Sequence, residues 1–228
     1  MSPAPAIALR GLGRAYGERP VLRGVSVDVP AGSTLVVFGP NGAGKSTLLR
    51  ILATLLRPHE GSVAVLGRPL PKEAWAVRGK IGLLGHDPLL YRDLTGWENL
   101  RYHAALHRTA PGRVEAAVEA VGMTRRAGDP VRTLSRGMVQ RLAIARAVLH
   151  EPELLLLDEP WANLDPAAAE LVAPLIGRGS PATRVVTSHD PAGGLAEADL
   201  ALGLKGGAAA LLGPADGVTV AEIGALYR

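Results

Sequence analysis

With 228 residues, 47% of them hydrophobic, the chain holds enough apolar material for one full core with a smaller lobe, and too little for several independent modules. It carries no cysteine, which excludes a disulfide framework, a thiolate metal site and a cysteine nucleophile. The net charge of +4 comes from arginines scattered among acids with no dense basic block, so nucleic acid is an unlikely partner and a place beside an anionic membrane face is compatible.

Taken in chain order, residues 7–9 and 25–29 read as strands of an N-terminal antiparallel portion, residues 34–38 as a buried strand, and residues 45–55 as the helix after it. Residues 63–66 and 81–84 continue the strands. The character then changes, because residues 99–106 and 113–121 are helical with no convincing strand between them, and residues 135–150 form a long helix. Strands return at residues 154–157 and 184–187, followed by weaker runs at 200–204 and 208–212 and a short helix over 220–227. Strands alternating with helices predict an α/β domain with a mainly parallel sheet. The expected organisation is a single domain over 1–228, with a core of 1–87 and 151–228 and a helical lobe of 88–150 inserted into it. The apolar runs are far shorter than the roughly 20 residues that cross a bilayer, and residues 1–7 lack the basic-then-apolar pattern of a secretory signal. A cytoplasmic location follows as an expectation.

Between the buried strand and its helix lies Gly39-Pro40-Asn41-Gly42-Ala43-Gly44-Lys45-Ser46-Thr47, a full GxxxxGK[ST] in the strand-to-helix context that the motif requires. Glycines let successive N–H groups turn inward toward phosphate oxygens, and the helix directs its positive end at the same point. Lys45 adds a charge for the β and γ phosphates, and Ser46 offers a hydroxyl to Mg²⁺. Far along the chain, Glu153-Leu154-Leu155-Leu156-Leu157-Asp158-Glu159 is an apolar strand ending in two acids. In a parallel sheet ligands sit beyond the carboxyl ends of the strands, so both acids should reach the phosphates. Asp158 is placed for Mg²⁺ and Glu159 for the attacking water.

Leu134-Ser135-Arg136-Gly137-Met138, with Gln140-Arg141-Leu142 and Ala145-Arg146-Ala147, resembles the signature segment of ABC ATPases, usually LSGGQ. The glycine loop, Asp158-Glu159-Pro160, the turn Ala162-Asn163-Leu164-Asp165 and Ser188-His189-Asp190 match the same family in its order over nearly the whole chain. The resemblance implies the P-loop fold of ABC ATPases, hydrolysis of ATP with Mg²⁺, head-to-tail pairing with a second ATP-binding subunit, and permease subunits in the membrane, on whose inner face the chain would sit. It also implies that Ser135 and Gly137, with Asp165 of the following turn, meet nucleotide held by the other copy. By the same resemblance His189 contacts the γ-phosphate and the water, and Tyr16 stacks on adenine. Ser135 is also a good N-cap, and a helix starting there exposes free N–H groups.

Two departures stand out. Most relatives place a glutamine that touches Mg²⁺ and the water where this chain has His86, and an imidazole titrates near neutrality where an amide does not. Arg136 and Met138 replace the usual Gly and Gln of the signature. The spelling of residues 84–86, 94–100 and 134–138 looks most like the ATP-binding subunits of haem exporters of cytochrome c maturation, while drug, lipid and polysaccharide exporters share much of it. A soluble ABC ATPase acting on nucleic acid is the rival class, disfavoured because such chains usually carry two cassettes or a long coiled-coil or zinc insertion.

Overall fold

The computed structural model describes residues 4–228. Two sheets organise it. A four-stranded antiparallel sheet has the order β2-β1-β4-β5, built from β1 (Ile7–Tyr16), β2 (Arg19–Val29), β4 (Glu60–Val65) and β5 (Arg68–Leu70). A six-stranded sheet has the order β10-β9-β3-β8-β7-β6. Its strands β9 (Leu200–Lys205), β3 (Thr34–Phe38), β8 (Thr183–Thr187), β7 (Leu154–Asp158) and β6 (Ile81–Leu84) run parallel, and β10 (Ala208–Pro214) is an antiparallel edge.

The parallel strands are mostly apolar because both of their faces are covered, although β8 buries Thr183, Arg184 and Thr187. Side chains alternate across a strand, so Leu35 and Val37 of β3 face one layer and Val36 and Phe38 the other. The first layer joins β1, β2 and β4 to α1 (Lys45–Leu52), whose Leu48, Leu49, Ile51 and Leu52 are all buried. The second takes in Leu142 to Ala145 of α5 (Arg136–Val148), Val172 and Ile176 of α6 (Pro166–Ile176), and Ile223 of α8 (Val220–Ala225). Between β6 and β7 the chain passes only through helices: α3 (Gly96–His107), α4 (Arg113–Ala120), a short 3-10 turn and α5. A capping box starts α3, where the Thr95 hydroxyl accepts the Glu98 N–H and the Glu98 carboxylate takes the Thr95 N–H.

Some boundaries differ from expectation. Helix α1 stops at Leu52 rather than residue 55, because Thr54 turns left-handed at φ 62°. Strands β1 and β2 run longer than read, with irregular register between Leu9 and Ala15. Four elements were not anticipated: β5, α2 (Ala74–Arg78), α6 and α7 (Pro191–Glu197). Helices α6 and α7 begin with Asp165-Pro166 and Asp190-Pro191, in which the aspartate caps and the proline takes the first helical position. Pro174 inside α6 and Gly193-Gly194 inside α7 mask those starts, since both residue types read as helix breakers.

Candidate functional site

Strand β3 ends at Phe38, and the chain curls through residues 39–44 before α1 begins at Lys45. Two glycines are obligatory there. Gly39 (φ 144°) has Leu204 O where a Cβ would sit, and at Gly44 (φ 106°) a Cβ would lie 2.7 Å from Val21 O. Lys45 is only 7% exposed, and its Nζ donates to Gly39 O at 2.6 Å and Pro40 O at 3.2 Å. The cation is thereby held inside the curl. Burial lowers its pKa from the ordinary lysine value, opposed by the negative charges of Glu159 and Asp158.

Those acids arrive from β7, two strands away across the sheet. The Ser46 hydroxyl donates to Asp158 Oδ2 at 2.8 Å, and the Thr187 hydroxyl donates to Asp158 Oδ1 at 2.6 Å. Glu159 leaves the strand in a left-handed conformation, φ 50°. For a residue that is not glycine this costs about 1–3 kcal/mol and persists only where its surroundings enforce it. Here the Glu159 N–H donates to Thr187 Oγ1 at 3.0 Å, and the turned carboxylate brings Oε1 to 2.7 Å from His189 Nε2.

A cleft of ≈ 710 Å³ opens over this cluster. It is lined by Tyr16, residues 41–47, His86, Asp158 and Glu159, together with Arg19 and Arg23. The Arg14 guanidinium lies 5.2 Å from the centre of the half-exposed Tyr16 ring. The geometry suits a polyanion, with a glycine curl, a buried lysine and a helix N-terminus at one end. Ser46 and Asp158 form the pair of hard oxygen donors that a small divalent cation takes alongside phosphate oxygens, and two such ligands suffice for Mg²⁺.

The fold and this arrangement together decide the family. The model of the ABC transporter family matches residues 22–162, more than half of the chain. The chain belongs to the ABC transporter family. It is 40% identical over its whole length to the phosphonates import ATP-binding protein PhnC of Anaeromyxobacter dehalogenans (strain 2CP-C), covering 49% of that protein. Over 77% of its length it is 41% identical to the daunorubicin resistance ATP-binding protein DrrA3 of Streptomyces coeruleorubidus, covering 58% of it. The chain thus spans about half the length of these curated relatives. Among solved structures, a dimeric ATP-binding cassette in a post-hydrolysis state, bound to ADP and Pi, superposes with TM-score 0.83 at 27% identity. That match covers 93% of this chain and all of the other. The expected α/β fold of ABC ATPases is therefore the fold observed.

Within this family member the anticipated site residues fall into two groups. Lys45 is bonded to Gly39 and Pro40, Ser46 to Asp158 and Glu159 to His189, and residues 41–47, Asp158, Glu159, Tyr16 and His86 line the cleft. Ser135, Gly137 and Asp165 do not line it. Ser135 caps α5 by accepting the Met138 N–H at 3.3 Å, and Asp165 caps α6 by accepting the Ala168 N–H at 2.8 Å. At Gly137 a Cβ would come within 2.8 Å of Asn163 O, so the start of α5 packs closely against the turn before α6. Gln140 Nε2 donates to Pro160 O at 3.1 Å and ties α5 to the segment after the acids. Sequence reading overlooked Thr187, Arg19, Arg23 and Tyr227, whose hydroxyl accepts the Gly39 N–H at 3.3 Å. A Thr at the end of a β-branched strand carries no local mark of a polar task. The arginines were two among many.

Proposed function

We propose that the chain binds ATP with Mg²⁺ and hydrolyses it as the ATP-binding subunit of a membrane transporter. The observation that carries the reading is the convergence of Lys45, the Ser46–Asp158 pair and Glu159 on one cleft, with His189 bonded to Glu159 from beside it. Gly39, Pro40, Asn41, Gly42, Ala43, Gly44 and Thr47 supply the curl that receives the phosphates, and Tyr16 supplies a flat face for the base. Mg²⁺, held through Ser46 and Asp158, supplies charge neutralisation of the β and γ oxygens. Glu159 accepts a proton from water as that water's oxygen bonds to the γ-phosphorus. The bond to the bridging oxygen breaks, leaving ADP and phosphate, and His189 fixes the carboxylate and the water. His86, on the wall of the same cleft, would be the third group to meet the water and the metal.

Placement of Ser135, Gly137 and Asp165 outside the cleft of their own chain supports a head-to-tail pair, in which they close on nucleotide held by a second copy. Leu55 (61% exposed) and Leu89 (48%) line a hollow with His86, and this apolar surface supports docking of permease subunits there. The proposed place is the cytoplasmic face of the membrane. For cargo, we propose export, with haem for cytochrome c maturation as the reading suggested by the spelling at residues 84–86, 94–100 and 134–138.

Glu159→Gln tests the chemistry. It should retain ATP binding, accumulate an ATP-bound dimer on size exclusion, and lose turnover by about 10²-fold or more. Native turnover in that variant would remove Glu159 from the reaction. Co-purification with membrane partners, followed by ATPase assays with haem and with other cargo, tests transport; stimulation by another cargo alone would exclude haem.

A further inference from the structure

Thr187 occupies the last position of β8, laterally paired with Asp158 of β7, and it is 1% exposed. Its hydroxyl has one proton to give and lone pairs to share, and neighbouring groups settle how both are used. The Glu159 N–H can only donate, so it gives its proton to Thr187 Oγ1 at 3.0 Å. The Asp158 carboxylate accepts, so the Thr187 proton points to Oδ1 at 2.6 Å. A one-way relay results, from Glu159 N–H through Thr187 to Asp158, and bonds in such a series polarise one another. Asp158 Oδ2 is taken by Ser46, so this relay is what sets the rotation of the carboxylate about its own axis. At its other end the relay holds the left-handed turn that brings the Glu159 carboxylate to His189.

We infer that Thr187 is a positioning residue for both acids of the site: one hydroxyl aligns Asp158 for the divalent cation and fixes the backbone turn that presents Glu159 to water. The inference rests on the proposed reading of the cleft as a Mg–ATP site. It goes beyond it by assigning a task to a residue that touches neither nucleotide nor water. A strand threonine kept only for packing would be replaceable by valine, which has the same shape and the same preference for strands. Valine cannot accept the Glu159 N–H or donate to Asp158.

The test compares Thr187→Val and Thr187→Ser with the native chain, using a fluorescent ATP analogue titrated with and without Mg²⁺, alongside steady-state ATPase kinetics. In Thr187→Val, metal-free affinity should stay within about 2-fold of native, because the curl and Lys45 are untouched. The gain in affinity on adding Mg²⁺ should fall by about 10-fold and kcat by about 10-fold to 100-fold, with KM for Mg–ATP changing less than kcat. Thr187→Ser should restore both to within about 3-fold, since it returns the hydroxyl without the methyl. The inference is overturned if Thr187→Val keeps the native Mg²⁺ response and kcat, whatever its melting temperature. It is equally overturned if metal-free affinity drops as much as the Mg²⁺-dependent gain. Absence of Mg²⁺-dependent uptake by the native chain itself would instead defeat the reading of the cleft.

Discussion

Two helix N-termini in this molecule, both assigned to nucleotide in the proposed reading, are finished in opposite ways. That of α1 opens into a closed setting, with the glycine curl before it, Lys45 folded back onto Gly39 and Pro40, and Ser46 bonded to Asp158. That of α5 opens at Ser135 with one side-chain cap, and no residue of its first turn lines the cleft. The α1 end is surrounded by polar groups of its own chain; in the proposed pair the α5 end is completed by the other copy. The difference separates two properties that are usually measured together. Nucleotide grip should belong to the single chain, and turnover should belong to the pair.

Breaking the α1 end gives the largest effect. Lys45→Ala removes the buried cation from the curl, and nucleotide affinity should fall by about 10²-fold, roughly the worth of one or two charge-assisted hydrogen bonds to phosphate. Calorimetric or fluorescence titration reads this directly. Affinity within a few-fold of native would mean that the cleft holds phosphate by some other route. The α5 end should behave differently. Ser135→Ala leaves the cleft of its own chain intact, so single-chain affinity should stay within about 2-fold, while ATPase activity of the assembled pair falls by about 10-fold or more. The same substitution costs about 1 kcal/mol of stability through the lost cap, which a melting curve reports separately. A parallel fall in affinity and turnover would erase the contrast between the two ends.

How far each end could be read from the sequence follows from the same contrast. The α1 end is a contiguous motif in which each residue type has a chemical reason at its own position, so Gly39 to Thr47 could be singled out one by one. Asp158 and Glu159 were legible because an apolar strand terminating in acids is unusual. Thr187 was not, because its task depends on a register across two strands that no local pattern encodes. The α5 end was singled out only through resemblance, since nothing near Ser135 in the chain reveals what it faces. Helices α6 and α7 escaped because Pro174 and Gly193-Gly194 outweighed the Asp-Pro starts at residues 165–166 and 190–191. The histidines of α3 and His150, just beyond the end of α5, carried no motif at all, yet the fold gathers them into one place.

That gathering sharpens the comparison at the far end of α5. His103 and His107 of α3 meet Arg146 and His150 around a cavity of ≈ 230 Å³, with the His107 and His150 rings stacked 3.9 Å apart. His103 Nε2, His150 Nδ1 and Arg146 Nε are buried without hydrogen-bond partners among the described residues. Burial pushes the pKa of His103 and of His150 down to about 4, helped by the positive charge of Arg146 and by His107. In the unfolded chain both would titrate near 6.5. Between those values the unfolded state binds more protons, so stability is complete above about pH 6.5 and is lost as pH falls toward 4. Since both rings are partly exposed, the loss is discounted to about 1 kcal/mol each, or a fall in melting temperature of roughly 3 °C per ring. Melting curves at pH 7.5 and 5.0 should show this fall, and His150→Gln should reduce it by about half. An undiminished acid loss in that variant would place the sensitive groups elsewhere. Acid would then weaken the junction of α3 and α5 with β6 while the curl around Lys45 keeps its shape, so the half-built side of the site should fail before the self-contained one.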